Sequence, residues 1–110
     1  MLSRTEEMLL LAVCRLQTEA FGINIRKEVE ALTGKRYSVG GIYVPLDRLV
    51  KKGFLSTKTG RATENRLGRP KRLFTISSVG LAALREARSL YEAMWASLPE
   101  PVVKQLTFSG

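Results

Sequence analysis

The strongest chemical signal in this sequence is a cluster of basic side chains between residues 51 and 72. The segment holds eight lysines and arginines and one acidic residue, so it carries +7 of the formal net charge of +8. The basic residues are Lys51, Lys52, Lys58, Arg61, Arg66, Arg69, Lys71 and Arg72. Cationic groups at this density attract phosphates. The cluster therefore predicts a polyanionic partner, and we favour nucleic acid over a charge that serves solubility alone.

The residue types that catalysis and metal binding require are scarce. Histidine, the commonest general base and metal ligand, is absent. The single cysteine, Cys14, cannot build a zinc site or an internal disulfide, and its apolar neighbours indicate a small buried hydrophobe. The glycines form neither a GxGxxG nor a Walker spacing. We expect no enzymatic activity, no metal and no cofactor.

The length and the cysteine content bound the class of protein. A chain of 110 residues suits one domain with a modest core. The lone thiol fits a reducing cytoplasm. The apolar run over residues 8–14 is too short to cross a bilayer, and no signal-peptide cleavage site follows it. We expect a cytoplasmic protein with no membrane partner.

The elements before the basic cluster are predicted to be helical. Ser3, with Glu6 three residues later, forms a capping box that starts a first helix ending near Leu16 or Gln17. A second, amphipathic helix begins after residues 18–22 and stops at Gly34. Ser38 is a suitable N-cap for a third helix that ends at residue 53.

The third helix has an unusual first half, and a strand pair follows it. Gly40, Gly41 and Pro45 are poor residues for a helix interior, so we expect a kinked or irregular start. Small residues there would let the backbone approach a partner closely. The pattern predicts two antiparallel strands joined by a polar loop, at residues 54–59 and 73–76.

Three helices followed by a strand pair and a basic loop are the order of a winged helix-turn-helix domain. The predicted fold class is mainly α with a small β hairpin, extended by a C-terminal dimerisation helix. In this fold the third helix enters the major groove of DNA, and the loop, or wing, lies along the backbone or in the minor groove. Arg61, Arg66 and Arg69 are placed for that contact.

Six short motifs stand out at residues 20–22, 38–43, 46–49, 52–55, 68–72 and 75–77, with Gly80 beyond them. Together they resemble the PadR-like winged-helix transcriptional regulators, and the resemblance covers about residues 7–84. Two departures stand out. Val44 separates Tyr43 from Pro45, where many relatives place proline directly after the tyrosine. Ser78 follows the capping Ser77, where relatives often have proline.

The resemblance implies a bacterial, dimeric repressor that binds double-stranded DNA. Transferred residue by residue, it places Ser38, Gly40, Gly41, Tyr43, Val44, Arg48, Arg69 and Lys71 at the DNA; the basic cluster adds Lys52, Arg61 and Arg66. Tyr43 shares a helical face with Leu46 and Leu49, so core packing is an equal alternative to a phosphate contact by its hydroxyl. A rival function is a winged-helix module that binds an acidic protein partner.

A fourth helix from Ser77 to about Leu98 carries apolar residues at intervals of three and four, which is typical of a helix seam. We expect a homodimer in which this helix packs against the first helix of the other chain. The predicted interface consists of Met8, Leu9, Leu84, Ala87, Tyr91, Met94, Trp95 and Leu98.

Aromatic and methionine side chains at that predicted interface suggest a second role. Met8, Tyr91, Met94 and Trp95 could line a space for a flat aromatic effector, and packing of the seam is the alternative reading. The predicted organisation is thus a DNA-binding domain over residues 1–76, a dimerisation helix over residues 77–98 and a tail over residues 99–110. The tail is either frayed or a short docking segment.

Overall fold

The computed structural model describes residues 1–59 and 71–108, and within them it is mostly helical. The helices are α1 (Arg4–Leu16), α2 (Gly22–Thr33), α3 (Val39–Lys51), α4 (Ser78–Ala96) and α5 (Glu100–Phe108). A single 3₁₀ turn, Gln17–Glu19, follows α1. Strands β1 (Leu55–Thr59) and β2 (Arg72–Ile76) form an antiparallel hairpin. This order confirms the predicted fold class of three helices, a hairpin and a C-terminal helix.

Capping residues mark the start of α1 and the end of α2, as the sequence predicts. The Ser3 hydroxyl accepts from the backbone N–H of Glu6 at 3.1 Å, and the Ser3 N–H donates to the Glu6 carboxylate at 2.8 Å. Gly34 ends α2 in the left-handed region with a φ of 71°. A residue with a Cβ adopts that conformation only with strain, so glycine serves this position.

The core lies where α1, α2, α3 and the hairpin meet. Its largest members have no exposed surface; they are Leu9, Leu10, Ile25, Ile42, Leu46, Leu49 and Phe74. Burial of each such side chain contributes about 1.5–3 kcal/mol relative to exposure. Three of these residues lie on one face of α3, so the core fixes which face of that helix remains outside.

Helix α3 is continuous from Val39 to Lys51 and passes through Pro45 without a break. The first half is therefore α-helical, where the glycines and the proline predict irregular structure; the predicted kink stays a prediction. Proline at this position removes one backbone donor. The loss of a single hydrogen bond is small beside the burial of Ile42, Leu46 and Leu49, which anchors the helix along its length.

Helix α4 starts just after β2, at a corner where Ser77 contacts Gly53 and Phe54, the two residues before β1. The Ser77 hydroxyl caps α4 by accepting from the Gly80 N–H at 3.0 Å, and it donates to the carbonyl of Gly53 at 2.6 Å. The helix ends at Ala96, two residues before the predicted end, because Ser97 is its C-cap and Pro99 follows. Residues beyond it form α5, so the segment predicted as a frayed tail or a docking element is helical as far as Phe108.

The molecule is elongated, with principal extents of 57 × 30 × 21 Å. None of the helices over residues 1–59 and 71–108 has the length and apolar character needed to cross a membrane.

Candidate nucleic-acid interface

Helix α3 presents one face to the core and the opposite face to solvent. Its exposed residues are Val39, Gly40, Gly41, Val44, Asp47, Arg48 and Lys51. Ser38 caps the helix, and its hydroxyl accepts from the Gly41 N–H at 3.0 Å. The exposed face therefore brings together most of the residues that the sequence predicts for the reading helix. It offers backbone near the N-terminus, an apolar side chain in the middle and basic side chains toward the C-terminus.

The first turn of this face carries almost no side-chain bulk. A Cβ built on Gly40 meets no atom within 4 Å, and one built on Gly41 meets only the Ser38 hydroxyl at 3.1 Å. Neither glycine has a positive φ. The fold thus leaves room for a side chain at Gly40, whereas a side chain at Gly41 would press on the capping hydroxyl of Ser38.

Tyr43 packs inside the protein, at the junction of α2 and α3. A Cβ on Gly22 would lie 2.1 Å from the Tyr43 hydroxyl oxygen and 2.4 Å from its ring, so any larger residue at the start of α2 would force this ring to move. The side chain is half-buried. The packing role expected as one alternative is thus present, while the phosphate contact stays a prediction.

The hairpin is attached to the middle of α3 by an ion pair. The Arg72 guanidinium lies 2.8 Å from the Asp47 carboxylate and 5.0 Å from the ring centroid of Phe74. The Lys71 ammonium lies 5.1 Å from the ring centroid of Phe21, which precedes α2. A cation over an aromatic face is held there electrostatically. Lys71, predicted to contact DNA, therefore lies at the end of the hairpin next to residues 60–70, near the start of α2.

Lys52 is engaged elsewhere in the fold. Its ammonium lies 2.7 Å from the carboxylate of Glu6, in the capping box of α1. This hydrogen bond is the main reason why the pKa of Glu6 lies below its ordinary value. Lys52 thus joins the end of α3 to the start of α1, and its charge is partly neutralised where the sequence predicts a free phosphate ligand.

The wing arginines predicted from the sequence, Arg61, Arg66 and Arg69, lie outside the described residues. Two other basic residues were missed. Lys35 and Arg36 are exposed in the turn between α2 and α3, where the Tyr37 N–H donates to the Glu30 carboxylate at 2.7 Å. That hydrogen bond lowers the pKa of Glu30. The signal that could have found them is the helix-turn-helix order itself, since the turn precedes the N-terminus of the reading helix.

The predicted dimer residues divide into three groups by their exposure. Leu9 has no exposed surface and belongs to the core of its own chain, so its assignment to the interface is corrected. Tyr91, Met94 and Trp95 have exposed fractions of 38%, 59% and 62%. The remaining members of the set, Met8, Leu84, Ala87 and Leu98, are half-buried.

A groove of about 630 Å³ lies between α1 and α4. Of the predicted effector residues, Tyr91 and Trp95 line it, and Met8 and Met94 are not among its described lining residues. A side-chain hydrogen bond to the Glu7 carboxylate raises the pKa of the Tyr91 hydroxyl, and the negative charge of that carboxylate raises this pKa further. The groove thus combines an apolar wall with a polar group at its edge.

Comparison with known proteins supports the fold and the family. Residues 10–86 match the transcriptional regulator PadR-like family. The structure of hsRosR in a complex is similar, with a TM-score of 0.70 and 19% identity over 96% of this chain and 87% of that chain. A PadR family transcriptional regulator from Eggerthella lenta gives a TM-score of 0.61 and 21% identity, covering 94% of this chain and 83% of its own. A PadR family transcription regulator from Clostridium difficile has a TM-score of 0.61 and 18% identity, covering 91% of this chain and 97% of its own.

At these identities the structural likeness shows a shared fold. A search of curated protein sequences found no match. The family match spans most of the 110 residues and includes α3 and both strands. The chain therefore belongs to the PadR-like family of transcriptional regulators, and it is a DNA-binding regulator with a winged-helix fold.

Proposed function

We propose that this protein is a homodimeric repressor that binds double-stranded DNA with sequence specificity and is released by a small, flat aromatic effector. It acts without enzymatic activity, in a bacterial cytoplasm. The observation that carries the proposal is the exposed face of α3 beside the hairpin, with basic side chains on both. In this arrangement α3 enters the major groove, and the hairpin follows the sugar–phosphate backbone.

The chemistry of the exposed face suits base recognition. Val44 has an exposed fraction of 51% and offers an apolar surface to a thymine methyl group. Arg48 is exposed one turn further along and can donate two hydrogen bonds to guanine. Lys51 continues the same side of the helix, where it can neutralise a phosphate. Residues 1–76 would form the DNA-binding domain.

Exposed apolar surface on α4 supports the homodimer. Within the described structure α4 packs mainly on α1, while Tyr91, Met94 and Trp95 remain exposed near its C-terminal end. Large apolar side chains so close together are typical of a protein interface. A twofold dimer over residues 77–98 would place two reading helices about 34 Å apart, one turn of DNA. A monomeric mass in solution scattering at micromolar concentration would refute it.

The groove between α1 and α4 supports the effector. Its aromatic lining residues, Tyr91 and Trp95, belong to the region proposed to dimerise. A ligand bound there could release DNA only if it favours a dimer whose reading helices are wrongly spaced for the operator. Quenching of Trp95, the only tryptophan, by planar aromatic compounds tests this step. An unchanged emission across a broad panel would contradict it.

Selection of binding sites from random duplexes tests the central proposal. A dimer that neutralises six to eight phosphates should show a slope of about −5 to −7 for log affinity against log salt. Arg48→Ala should change the preferred sequence, and Lys71→Ala should weaken all duplexes similarly and make the slope less steep. Lys104→Ala, on α5, removes the same charge as a control.

The opposite pattern would show that the roles of helix and hairpin are exchanged. Binding that is equally tight to every duplex and to an acidic polypeptide would favour the protein-binding alternative and refute specific recognition of DNA.

A further inference from the structure

Asp47 is the only acidic residue of α3, and it lies on the exposed face that is proposed to contact DNA. Half of its side-chain surface is exposed, so packing in the core does not require a carboxylate there. A negative charge on a surface that approaches phosphates opposes binding. A contribution to DNA affinity therefore does not explain why an aspartate occupies position 47.

The partner of Asp47 is held from two sides. The Arg72 guanidinium contacts the Asp47 carboxylate at 2.8 Å and lies over the ring of Phe74, a residue with no exposed surface. The core aromatic ring and the carboxylate together define where this guanidinium lies relative to α3. An arginine so held is less free to adapt to a phosphate than an unpaired one.

Arg72 lies at one end of the described hairpin. It is opposite Thr59 in the residue pair of β1 and β2 that adjoins residues 60–70. The ion pair with Asp47 therefore joins the end of the described hairpin directly to the middle of the reading helix. A change in this contact would change how the two described strands are placed relative to α3.

We infer that Asp47 is a positioning residue that sets DNA selectivity through Arg72. Its carboxylate fixes the position of the hairpin relative to the reading helix. It also binds the Arg72 guanidinium, so that this group does not bind phosphates without selectivity. The inference rests on the proposed function and deepens it: the carboxylate lowers affinity for unrelated DNA so that the correct sequence is preferred.

The Asp47→Asn variant tests this inference, because it keeps the size of the side chain and removes its charge. We expect its affinity for an unrelated duplex at low salt to rise about threefold to tenfold, with a salt slope steeper by about one because Arg72 gains a phosphate. Affinity for the selected duplex should rise less or fall. The ratio of the two affinities should fall about tenfold. Fluorescence anisotropy with both duplexes measures these quantities.

Two controls separate selectivity from charge and from stability. Glu28→Gln changes the net charge equally and breaks the ion pair of Glu28 with Arg15, which joins α1 to α2; the affinity ratio should stay at the wild-type value. The double variant Asp47→Arg with Arg72→Asp restores an ion pair of reversed direction. It should recover most of the ratio that each single reversal loses.

Three results would overturn the inference. Asp47→Asn could weaken both duplexes equally, which would indicate a role in stability alone. It could change the preferred base at one position only, which would mean that Asp47 reads a base directly. It could leave the ratio unchanged. If the wild-type protein prefers no duplex, the proposed function fails and the inference fails with it; a selective wild type with an equally selective variant refutes the inference alone.

Discussion

Substitution of Gly80 by alanine tests how α4 is joined to the winged domain. Gly80 is buried in the first turn of α4, and a Cβ there would lie 2.3 Å from the carbonyl oxygen of Phe54 and 2.8 Å from a side-chain carbon of Ile76. That carbonyl cannot easily move, because it accepts from the Ser77 N–H at 3.0 Å and shares the proton of the Ser77 hydroxyl, 3.0 Å away, with the Gly53 carbonyl. The added methyl group must therefore push α4 away from the corner.

The expected cost follows from three terms. Forcing a methyl group into a packed site costs about 1–3 kcal/mol. Weakening a hydrogen bond from Ser77 costs about 1 kcal/mol. The higher helix propensity of alanine returns about 0.5–1 kcal/mol. The net loss is about 1–3 kcal/mol, which lowers the melting temperature by about 5–15 °C in a domain of this size.

Thermal unfolding followed by circular dichroism, at one fixed protein concentration, measures this loss. Gly40→Ala is the matched control, because its Cβ meets no atom within 4 Å. That variant should gain about 0.5–1 kcal/mol of stability from helix propensity. If Gly80→Ala melts at or above the wild-type temperature, or if both variants lose stability equally, the steric reasoning is wrong.

Three further predictions follow from individual contacts. Glu6→Gln should cost stability at neutral pH, and this deficit should shrink as the pH falls below the ordinary pKa of 4.5. The pKa of Glu6 is lowered in the folded protein, so the stabilisation by Glu6 is lost as the carboxylate becomes protonated through that lower value. Melting temperatures from pH 7 to pH 3 measure the deficit, and a constant deficit would contradict the prediction. Trp95→Ala should shift the dimer toward monomer in analytical ultracentrifugation, since the proposed interface buries this exposed indole, and an unchanged mass would place the interface elsewhere. Gly22→Ala should displace the Tyr43 ring and lower stability by about 1–3 kcal/mol, measured by urea unfolding, whereas wild-type stability would show that the ring adapts without cost.

The elements of the fold could be predicted because their signals are local. Ser3 and Ser38 cap the helices that they were expected to start, and Gly34 ends α2 as predicted. Each of these signals depends on groups within four residues along the chain. The continuity of α3 could not be predicted this way, because burial of Leu46 and its neighbours outweighs the local preference of Pro45.

The site shows a similar division. The exposed face of α3 follows from helical periodicity, so Val44 and Arg48 could be placed on it in advance. The assignment of Leu9 to a dimer interface was wrong, since periodicity identifies an apolar face without stating what covers it. The charge of Lys52 was visible, whereas its partner Glu6, 46 residues away, was not.

Residue types and their spacing were sufficient to indicate a basic winged helix and the helix starts at Ser3, Ser38 and Ser77, because capping and periodicity act over a few residues. Tertiary packing alone decided which cations are engaged inside the protein and which face outward. Lys52 meets Glu6, and Arg72 meets Asp47, only because the chain folds back on itself. Ion pairs depend on distances in space, and these arise when a common core brings distant segments together.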